Sequence, residues 1–377
     1  MKKSKHFEKE SEELKSIGRG SRWYTILNKM LDAESPKSWS ISQLEPDTPP
    51  EVLADKLSLH FSSITNEASS LTEEEIPPSS NPPGFLLPQL LESTVATKLQ
   101  GYKIPNSTVP GDIPKHLVKL LYKELAVPLT LIYNSCLAHT KWPRIWKSEV
   151  VVPIPKIPTP TGYNNLRPIS MSPLWSKLLE TIVAEITINE TGKNWKENQH
   201  GGVKGSSIDH VLVEAWDKIL KSLDRSQSHK AVVFTALDFS KSFSRCSHQQ
   251  ILRSYAGVGA SRWLLLMHAA FLKDRSMSVK LGNIMSKSRE VTGGAVQGSV
   301  LGVLDHNVCL NDLDEELTED NPYIAKYVDD LTIIDTVDND TRTEVDNTDK
   351  KPLHTIYPQK TQEAFDKIKK RTEEKNL

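Results

Sequence analysis

Three aspartates occupy positions from which they could take part in metal-ion chemistry. Asp238 follows a long apolar run, and Asp329 and Asp330 stand between two β-prone runs. Two divalent cations about 4 Å apart can activate an attacking 3′ oxygen and stabilise a leaving pyrophosphate, which is the chemistry that joins nucleotides. Mg²⁺ prefers oxygen ligands and keeps several waters, so a few carboxylates from different strands are enough. Taken alone, an acid at a strand end is more often a turn former or a cap.

The elements expected to position these aspartates are three strands. The run Lys230–Leu237 (KAVVFTAL) lacks alternation and predicts a strand buried on both faces. Tyr323–Val328 and Leu331–Thr336 predict a hairpin with both acids at its turn. The separation along the chain, 329 − 238 = 91 residues, leaves room for two helices and a return. If the strands are neighbours in one sheet, the three carboxylates form a site for two Mg²⁺ ions, with Mn²⁺ as an alternative.

The rest of the chain predicts further strands and helices around this unit. Short apolar runs predict strands at Ser148–Pro155 and Met277–Leu281. Apolar residues at helical spacing indicate two packed helices in Lys115–His139, with the break at Pro128. The acidic segment Val337–Pro358 is expected to be loop. Further helices are expected at Pro173–Ile188, Ser207–Leu223, His248–Tyr255, Ser261–Leu272, about Gly298–Leu317, and Gln359–Lys375, the last with nothing to pack against.

The first part of the chain is expected to pack poorly. The 377 residues are 37% hydrophobic and include 23 prolines, so part of the chain is expected to be linker. One short helix is predicted at Trp23–Leu31, and residues 46–84 are rich in Pro, Ser and Glu, which predicts a disordered linker. We therefore divide the chain into an N-terminal helix and linker (1–84), a second unit (85–229) and a third unit (230–377).

Charge is segregated along the chain, although the formal net charge is −1. Residues 41–100 carry 2 basic and 9 acidic side chains, residues 101–310 carry 26 and 15, and residues 311–350 carry 3 and 14. The net charges of the three segments are therefore −7, +11 and −11. A basic body beside an acidic block suits a phosphate-binding channel next to a cation site. Solvated faces with chance clustering explain the same counts equally well.

The sequence also argues against several other classes of protein. No stretch reaches the 18 or so apolar residues of a membrane span, and the start MKKSKHFEKE lacks the apolar core of a signal peptide. Cys136, Cys246 and Cys309 are isolated, without a CxxC or Cys/His cluster, which argues against a disulfide framework and a zinc site. We expect an intracellular protein without a membrane partner; the sequence does not distinguish nucleus from cytoplasm or predict an oligomeric state.

Four ordered blocks resemble the reverse transcriptases of non-LTR (LINE-type, jockey-like) retrotransposons. Phe234–His248 (FTALDFSKSFSRCSH) is similar to their first metal-binding motif, and Gly293–Leu313 (GGAVQGSVLGVLDHNVCLNDL) to their glycine-rich motif and following helix. Tyr327–Asp330 (YVDD) is similar to the catalytic hairpin. WPRIWKSEVVVPIPK and NNLRPISMS, within residues 142–172, are similar to the fingers block that grips the incoming triphosphate. The resemblance covers roughly residues 100–377, and four ordered motifs are far more specific than one.

The resemblance implies roles for particular residues. Asp238, Asp329 and Asp330 are the implied metal ligands and catalytic residues. A phenyl ring under the sugar leaves no volume for a 2′-hydroxyl, an amide and a glycine can support the nucleotide and the template, and basic side chains neutralise phosphates. Outside the resemblance, such residues are ordinary core, turn and solvated positions. Five residues are implied to bind the nucleotide or the template: Phe243, Gln297, Gly298, Arg167 and Lys156.

The resemblance also implies a fold and an activity. The implied fold is α/β (α+β), with a fingers subdomain in 85–229 and, in 230–377, a palm made of an antiparallel sheet backed by helices. The implied activity is that of an RNA-directed DNA polymerase, which transfers a nucleotide from a dNTP to a primer 3′-OH with two Mg²⁺ ions. The implied partners are an RNA template, a DNA primer and dNTPs. Because Glu373–Leu377 resembles the point just before the next palm motif, we expect an incomplete palm and no thumb.

Some residues depart from the family pattern. Ser242 and Ser244 replace an alanine and an aspartate, and Val296 replaces a proline. Val303 and Asp305 stand where we expect a proline and a phenylalanine, and an acid on the buried face of that helix costs several kcal/mol unless it is paired. None of these changes touches the metal ligands. The expected lack of a thumb, together with Ser244, Val296 and Asp305, motivates a second hypothesis, a decayed or truncated remnant of the same fold that acts only in RNA or protein binding.

Overall fold

The computed structural model describes residues 40–103, 109, 111–224, 230–315, 323–338 and 359–375. The helix expected at Trp23–Leu31 and most of the loop expected at Val337–Pro358 lie outside these residues. The α-helices are α1 (Pro50–Thr65), α2 (Glu92–Gly101), α3 (Lys115–Leu120), α4 (Tyr122–His139), α5 (Leu174–Thr191), α6 (Ile208–Asp224), α7 (Ser242–Arg245), α8 (His248–Gly257), α9 (Arg262–Leu272), α10 (Val300–Leu310) and α11 (Gln359–Glu374). Short 3₁₀ turns lie at Ile41–Gln43, Arg144–Lys147, Tyr163–Asn165 and Gly192–Asn194.

The strands form two sheets. They are β1 (Ser148–Pro155), β2 (Leu166–Met171), β3 (Lys230–Asp238), β4 (Arg275–Leu281), β5 (Ile284–Met285), β6 (Arg289–Val291), β7 (Tyr323–Tyr327) and β8 (Asp330–Asp338). The first sheet has the order β2-β1-β4, with β1 parallel to β4, and β5 and β6 pair antiparallel with β4. The second, which we call the palm sheet, has the order β3-β8-β7 and is antiparallel throughout. The predicted antiparallel palm sheet with helices is thus confirmed, while the boundaries 84/85 and 229/230 stay predictions.

The main hydrophobic core lies among helices α2, α4, α5, α8, α9 and α10. The indole of Trp263 is buried there and donates a hydrogen bond of 2.9 Å to the carbonyl of Leu137. Cys136, Cys246 and Cys309 are buried free thiols and act as small core residues. Among the described residues, no helix combines the length and the apolar character that crossing a bilayer requires.

Helix α1 occupies part of the segment 46–84, for which we expected a disordered linker, and that expectation is wrong for these residues. Leu53, Leu57 and Phe61 recur at i, i+4 and i+8 and are buried against apolar residues of β4. Pro50 lies at the first position of the helix, where a proline costs no hydrogen bond. The composition indicated disorder because prolines and glutamates flank the short apolar face of α1. This helix is stabilised by packing against the first sheet.

The break between the two helices of 115–139 lies at Leu121 and not at Pro128, as we expected. Leu121 has φ −107° and ψ 26°, which ends α3 and starts α4. Pro128 lies inside α4, although an interior proline costs about 3 kcal/mol. The burial of Tyr133 and Leu137 farther along the helix offsets that cost.

Two further expectations about the palm sheet are wrong. The last helix, α11, does pack: its buried Ile368 joins Leu331 and Ile333 of β8 in a small apolar cluster on one face of the sheet. Strand β3 is not buried on both faces, because it lies at the edge of the order β3-β8-β7 and its Phe234 is 57% exposed. An uninterrupted apolar run therefore did not distinguish an edge strand from a central one.

Asp305, in the middle of α10, is completely buried and paired. Its Oδ1 accepts hydrogen bonds from the Tyr255 hydroxyl and the His268 Nδ1, each at 3.0 Å, with His268 assigned as the donor. The other ring nitrogen of His268 lies 3.0 Å from the Thr187 hydroxyl. Burial, together with this carboxylate, raises the pKa of Tyr255 well above its usual value. The condition for a buried acid at this position is thus met.

We expect Asp305→Ala to lower the free energy of unfolding by about 3 kcal/mol, because it leaves a buried tyrosine hydroxyl and a buried imidazole unpaired. Asp305→Asn keeps an acceptor oxygen at the same place, so its free energy of unfolding should fall clearly less. Urea unfolding of the two variants and the parent chain at pH 7 measures both differences. Equal losses of unfolding free energy in Asp305→Asn and Asp305→Ala would contradict a contribution from the two hydrogen bonds.

Candidate active site

The register of the palm sheet brings two of the three predicted aspartates together. Asp238, the last residue of β3, lies directly opposite Asp330, the first residue of β8. Residues opposite each other in an antiparallel pair have Cα atoms about 4.5–5.5 Å apart. Asp329 lies in the hairpin turn, directly before Asp330. Burial raises the pKa of Asp329, and the charges of Asp330 and Asp238 raise it further, so the three carboxylates lie within reach of one another's fields.

The hairpin turn consists of Val328 and Asp329, with Tyr327 paired to Asp330. We expected both acids in the turn, and only Asp329 lies there. Val328 has φ +59°, a left-handed conformation that a β-branched residue rarely adopts and that costs of order 1–3 kcal/mol. Its N–H donates to the side-chain carbonyl of Gln199 at 3.1 Å. The strained turn is therefore held by a residue more than a hundred positions earlier in the chain.

The segment 198–201 adds a short parallel pairing beside β7. The backbone N–H of Lys326 donates to Asn198 at 2.8 Å, and its carbonyl accepts from His200 at 2.9 Å. The buried ammonium of Lys326 donates to the carbonyls of Leu310 and Asn311 and forms an ion pair of 2.6 Å with an acidic side chain after α10. Burial lowers the pKa of Lys326, and that ion pair opposes the shift. The hairpin is thus fixed on both sides, which fixes its carboxylates.

A cleft of about 310 Å³ lies between the first sheet and the end of the palm sheet. It is lined by six of the eight residues that the sequence predicted for the site, namely Asp238, Asp329, Phe243, Gln297, Arg167 and Lys156. Asp330 is exposed and lines a separate depression with Tyr327 on the palm sheet. The two predicted metal ligands that share the cleft are therefore Asp238 and Asp329, and Arg167 partly offsets the shift in the pKa of Asp329.

Gly298, the remaining predicted residue, connects the glycine-rich motif to the first sheet. It has φ +105°, and a Cβ there would lie too close to the carbonyl oxygen of Ser170 in β2. The carbonyl of Gln297 accepts a hydrogen bond of 2.8 Å from the N–H of Ser170. The close backbone approach at this glycine is therefore made to β2, and its implied role in supporting the nucleotide or the template stays a prediction. Gly298 is not among the residues that line the cleft.

Two further residues of the cleft were missed by sequence reasoning. Lys241, which precedes α7 with φ +59°, lines the cleft near Lys156, and burial and the neighbouring charges of Arg245 and Lys156 lower its pKa. His60 reaches the cleft from α1, and burial, together with the charge of Lys241, lowers its pKa. Lys241 stands inside the block FTALDFSKSFSRCSH and could have been considered; His60 fell in the supposed linker. Lys241 thus adds to the cleft a basic side chain that we did not predict.

The cleft suits a cation held only in part by protein. Among the described residues, no three acidic, histidine or cysteine side chains converge closely enough to enclose a metal ion. Mg²⁺ does not require such a cage, since it usually binds through one or two carboxylates together with water and substrate phosphates. Asp238 and Asp329, beside three basic side chains, provide that combination. The donor set therefore fits Mg²⁺ or Mn²⁺ better than a structural metal.

An antiparallel sheet with acids at its hairpin end, above a basic cleft, is typical of the palm of nucleic-acid polymerases. The family model described as reverse transcriptase (RNA-dependent DNA polymerase) matches residues 154–375, which is more than half of the chain. The chain belongs to the reverse transcriptase family. The fold that the four blocks predicted is thereby confirmed, and the resemblance to LINE-type enzymes is confirmed by the relatives described next.

The chain is similar to curated proteins of Drosophila melanogaster. It is 25% identical over 307 residues to the RNA-directed DNA polymerase from mobile element jockey, covering 78% of this chain and 33% of that protein. It is 26% identical over 242 residues to the probable RNA-directed DNA polymerase from transposon BS, covering 61% of this chain and 26% of that protein. The chain therefore spans about a third or less of these relatives. Among solved structures, an apo telomerase from Candida tropicalis has a TM-score of 0.40 at 12% identity, covering 67% of this chain and 52% of that one.

We expect Gly201→Ala to destabilise the hairpin that carries Asp329. A Cβ at Gly201 would overlap the backbone nitrogen of Val328, so the turn or the segment 198–201 must move. The expected loss is about 2 kcal/mol, or a fall in Tm of roughly 2–4 °C. Gly162→Ala is the matched control, because its Cβ would meet open space and its backbone is extended. Equal Tm values for the two variants would contradict this account of the turn.

We expect Asp329→Asn to raise the Tm by about 1–3 °C at pH 7 without divalent cation, because it removes a half-buried charge beside two other carboxylates. The raised pKa means that the folded state binds this proton more tightly than the unfolded state does. The parent chain therefore gains stability relative to the variant as the pH falls through that pKa, and the difference disappears toward about pH 4.

Thermal unfolding at several pH values, with and without Mg²⁺, measures this difference. Added Mg²⁺ should stabilise the parent chain more than the variant. Asp209→Asn, at an exposed position in the first turn of α6, is the control and should show neither effect. An Asp329→Asn variant that is less stable than the parent at pH 7 would contradict the assigned electrostatics.

Proposed function

We propose that this chain is the RNA-directed DNA polymerase part of a non-LTR retroelement protein, which transfers a nucleotide from a dNTP to the 3′-OH of a primer. The observation that carries the proposal is the shared cleft, in which Asp238 and Asp329 face Arg167 and Lys156. Carboxylates and basic side chains that line one cleft suit a ligand with both charges, such as a metal-bound triphosphate.

Asp238 and Asp329 would hold two Mg²⁺ ions, with Asp330 as the adjacent third carboxylate. When bound, the ions lower the pKa of the primer 3′-OH and neutralise charge on the leaving pyrophosphate. The carboxylates are kept close by the β3–β8 register and by the strained turn at Val328. Burial, followed by the charges of Asp330 and Asp238, raises the pKa of Asp329, and a bound cation would relieve the repulsion among these carboxylates, so the site favours binding one.

Arg167, Lys156 and Lys241 would bind the triphosphate. Arg167 lies on β2 and can contact phosphate oxygens through two N–H groups, whereas the two lysines supply compact charges. Burial, followed by the charges of Arg245 and Lys156, lowers the pKa of Lys241, and a bound polyanion would offset the repulsion among these cations. Phosphate binding here would orient the α-phosphorus toward the carboxylates.

Phe243 and Gln297 would select and support the nucleotide. Phe243 lines the cleft close to Asp238 in the chain, where its ring can occupy the space that a ribose 2′-oxygen needs. Gln297 lines the same cleft at the end of the glycine-rich turn, and its amide can donate and accept hydrogen bonds. An RNA template and a DNA primer are the partners that we propose by analogy with the relatives named RNA-directed DNA polymerases.

The second hypothesis, a non-catalytic remnant, is motivated by Ser244, Val296 and Asp305. Asp305 is the departure that would destabilise the fold most, and its pairing with Tyr255 and His268 explains how the buried acid is tolerated. Val296 is buried in the main core, where its side chain packs with other apolar residues. Two of the three departures are thus compatible with an intact fold. A metal titration and an activity assay separate the two hypotheses.

Primer extension on an RNA template with Mg²⁺ tests the proposal. We expect the chain to add deoxynucleotides, and Asp238→Asn or Asp329→Asn to reduce the rate by at least about 100-fold, because the cation site loses a charged ligand. Asp209→Asn, at its exposed position, should extend the primer at the parent rate. Equal extension by the parent chain and Asp329→Asn would reject the assigned site.

A Mn²⁺ or Mg²⁺ titration followed by thermal shift separates an enzyme from a remnant. An intact site predicts a cation-dependent rise in Tm that is lost in Asp238→Asn and Asp329→Asn and kept in Asp209→Asn. A remnant predicts no dependence on these carboxylates and no primer extension.

A further inference from the structure

Phe243 and His306 form a face-to-face ring pair at the base of the cleft. Their ring centroids are 4.0 Å apart, and the ring planes differ by 2°. Phe243 is partly exposed and lines the cleft, whereas His306, in α10, is completely buried. One face of the phenyl ring is therefore covered by the imidazole. The ring cannot move away from the cleft in that direction while the imidazole is present.

The backbone of Phe243 is fixed independently of its ring. Its carbonyl accepts a hydrogen bond of 2.7 Å from the N–H of Ala295, and the N–H of Gly294 donates at 2.7 Å to the carbonyl of Cys246. These bonds join α7 to the glycine-rich turn. With the backbone held, the position of the phenyl ring depends on its side-chain torsions and on what lies behind it.

His306 makes few interactions other than this stack. Neither ring nitrogen has a hydrogen-bond partner of acceptable geometry among the described residues. Burial lowers the pKa of His306 to about 4, against a small opposing effect of the Asn307 side chain. The ring is therefore neutral at physiological pH and acts as a flat aromatic surface. A buried imidazole without hydrogen bonds is unfavourable in itself, which leaves the stack as its contribution to the site.

We infer that His306 is a positioning residue for sugar selection, which holds the Phe243 ring against the position of the nucleotide 2′-carbon. The inference rests on the proposed polymerase function and on the sugar-excluding role of Phe243. It goes beyond that function because discrimination between deoxyribose and ribose would then depend on a residue of α10 that does not line the cleft. His306 would act only through the phenyl ring, and the ring would set the volume available to the sugar.

Single-nucleotide extension with dATP and with ATP, on an RNA template with a DNA primer, tests this inference. We expect His306→Ala to reduce the ratio of kcat/KM for dATP over ATP by about tenfold, because loss of the stacked partner lets the phenyl ring recede. The kcat/KM for dATP itself should change less than the ratio does. His306→Phe retains a flat ring behind Phe243 and should keep the parent ratio.

Two further variants make the result specific. Val308→Ala removes buried volume from the same helix and should lower the Tm without changing the ratio. Phe243→Ala should lower the ratio at least as much as His306→Ala, and the double variant should equal Phe243→Ala alone, because His306 then has no ring to position. Additive losses in the double variant would overturn the inference.

The outcomes also separate this inference from the proposed function. A parent chain that extends the primer and prefers dATP, together with a His306→Ala variant that keeps the parent ratio, overturns the role of His306 alone. A parent chain that adds neither nucleotide and whose Tm rises with neither dATP nor ATP in the presence of Mg²⁺ overturns both, because the inference depends on a functioning nucleotide site.

Discussion

The pairing of β3 with β8 is the constraint on which the site depends. Nine consecutive residue pairs fix the register from Lys230 to Asp238, and the last pair sets two carboxylates opposite each other. A slip of one residue would turn Asp238 to the other face of the sheet, toward the apolar cluster under α11. The apolar face of the palm sheet therefore enforces a register that the repulsion between the carboxylates opposes.

The cleft is assembled at the glycine-rich turn, where three distant parts of the chain meet. Gly293 approaches the carbonyl of Thr65 at the end of α1, and Gly298 approaches that of Ser170 in β2. Between them, Ala295 binds the backbone of Phe243. Larger side chains would separate these elements, because the contacts are made by backbone atoms. One short turn thus sets the distance between the basic side of the cleft and the acids of the palm sheet.

The sequence was informative where a local signal and a motif agreed. The strand Ser148–Pro155 and the hairpin around Asp329 were predicted because apolar runs, turn residues and the family blocks coincided. It was uninformative where stability comes from partners distant in the chain. Helix α1 was hidden by flanking prolines, and the role of Gln199 at the strained turn leaves no pattern that periodicity could reveal. Such contacts depend on tertiary geometry, which a single sequence does not display.

Asp305, one of the departures from the family pattern, is explained by its surroundings. Asp305 and His306 are consecutive, and each contacts a different neighbour: the acid binds Tyr255 and His268, and the imidazole stacks on Phe243. Unselected polar substitutions in a core leave charges without partners and destabilise the fold. Here the acid has two donors on one oxygen, and the imidazole is neutral and stacked. Helix α10 is therefore connected to the cleft through Phe243, and its buried acid is paired rather than isolated.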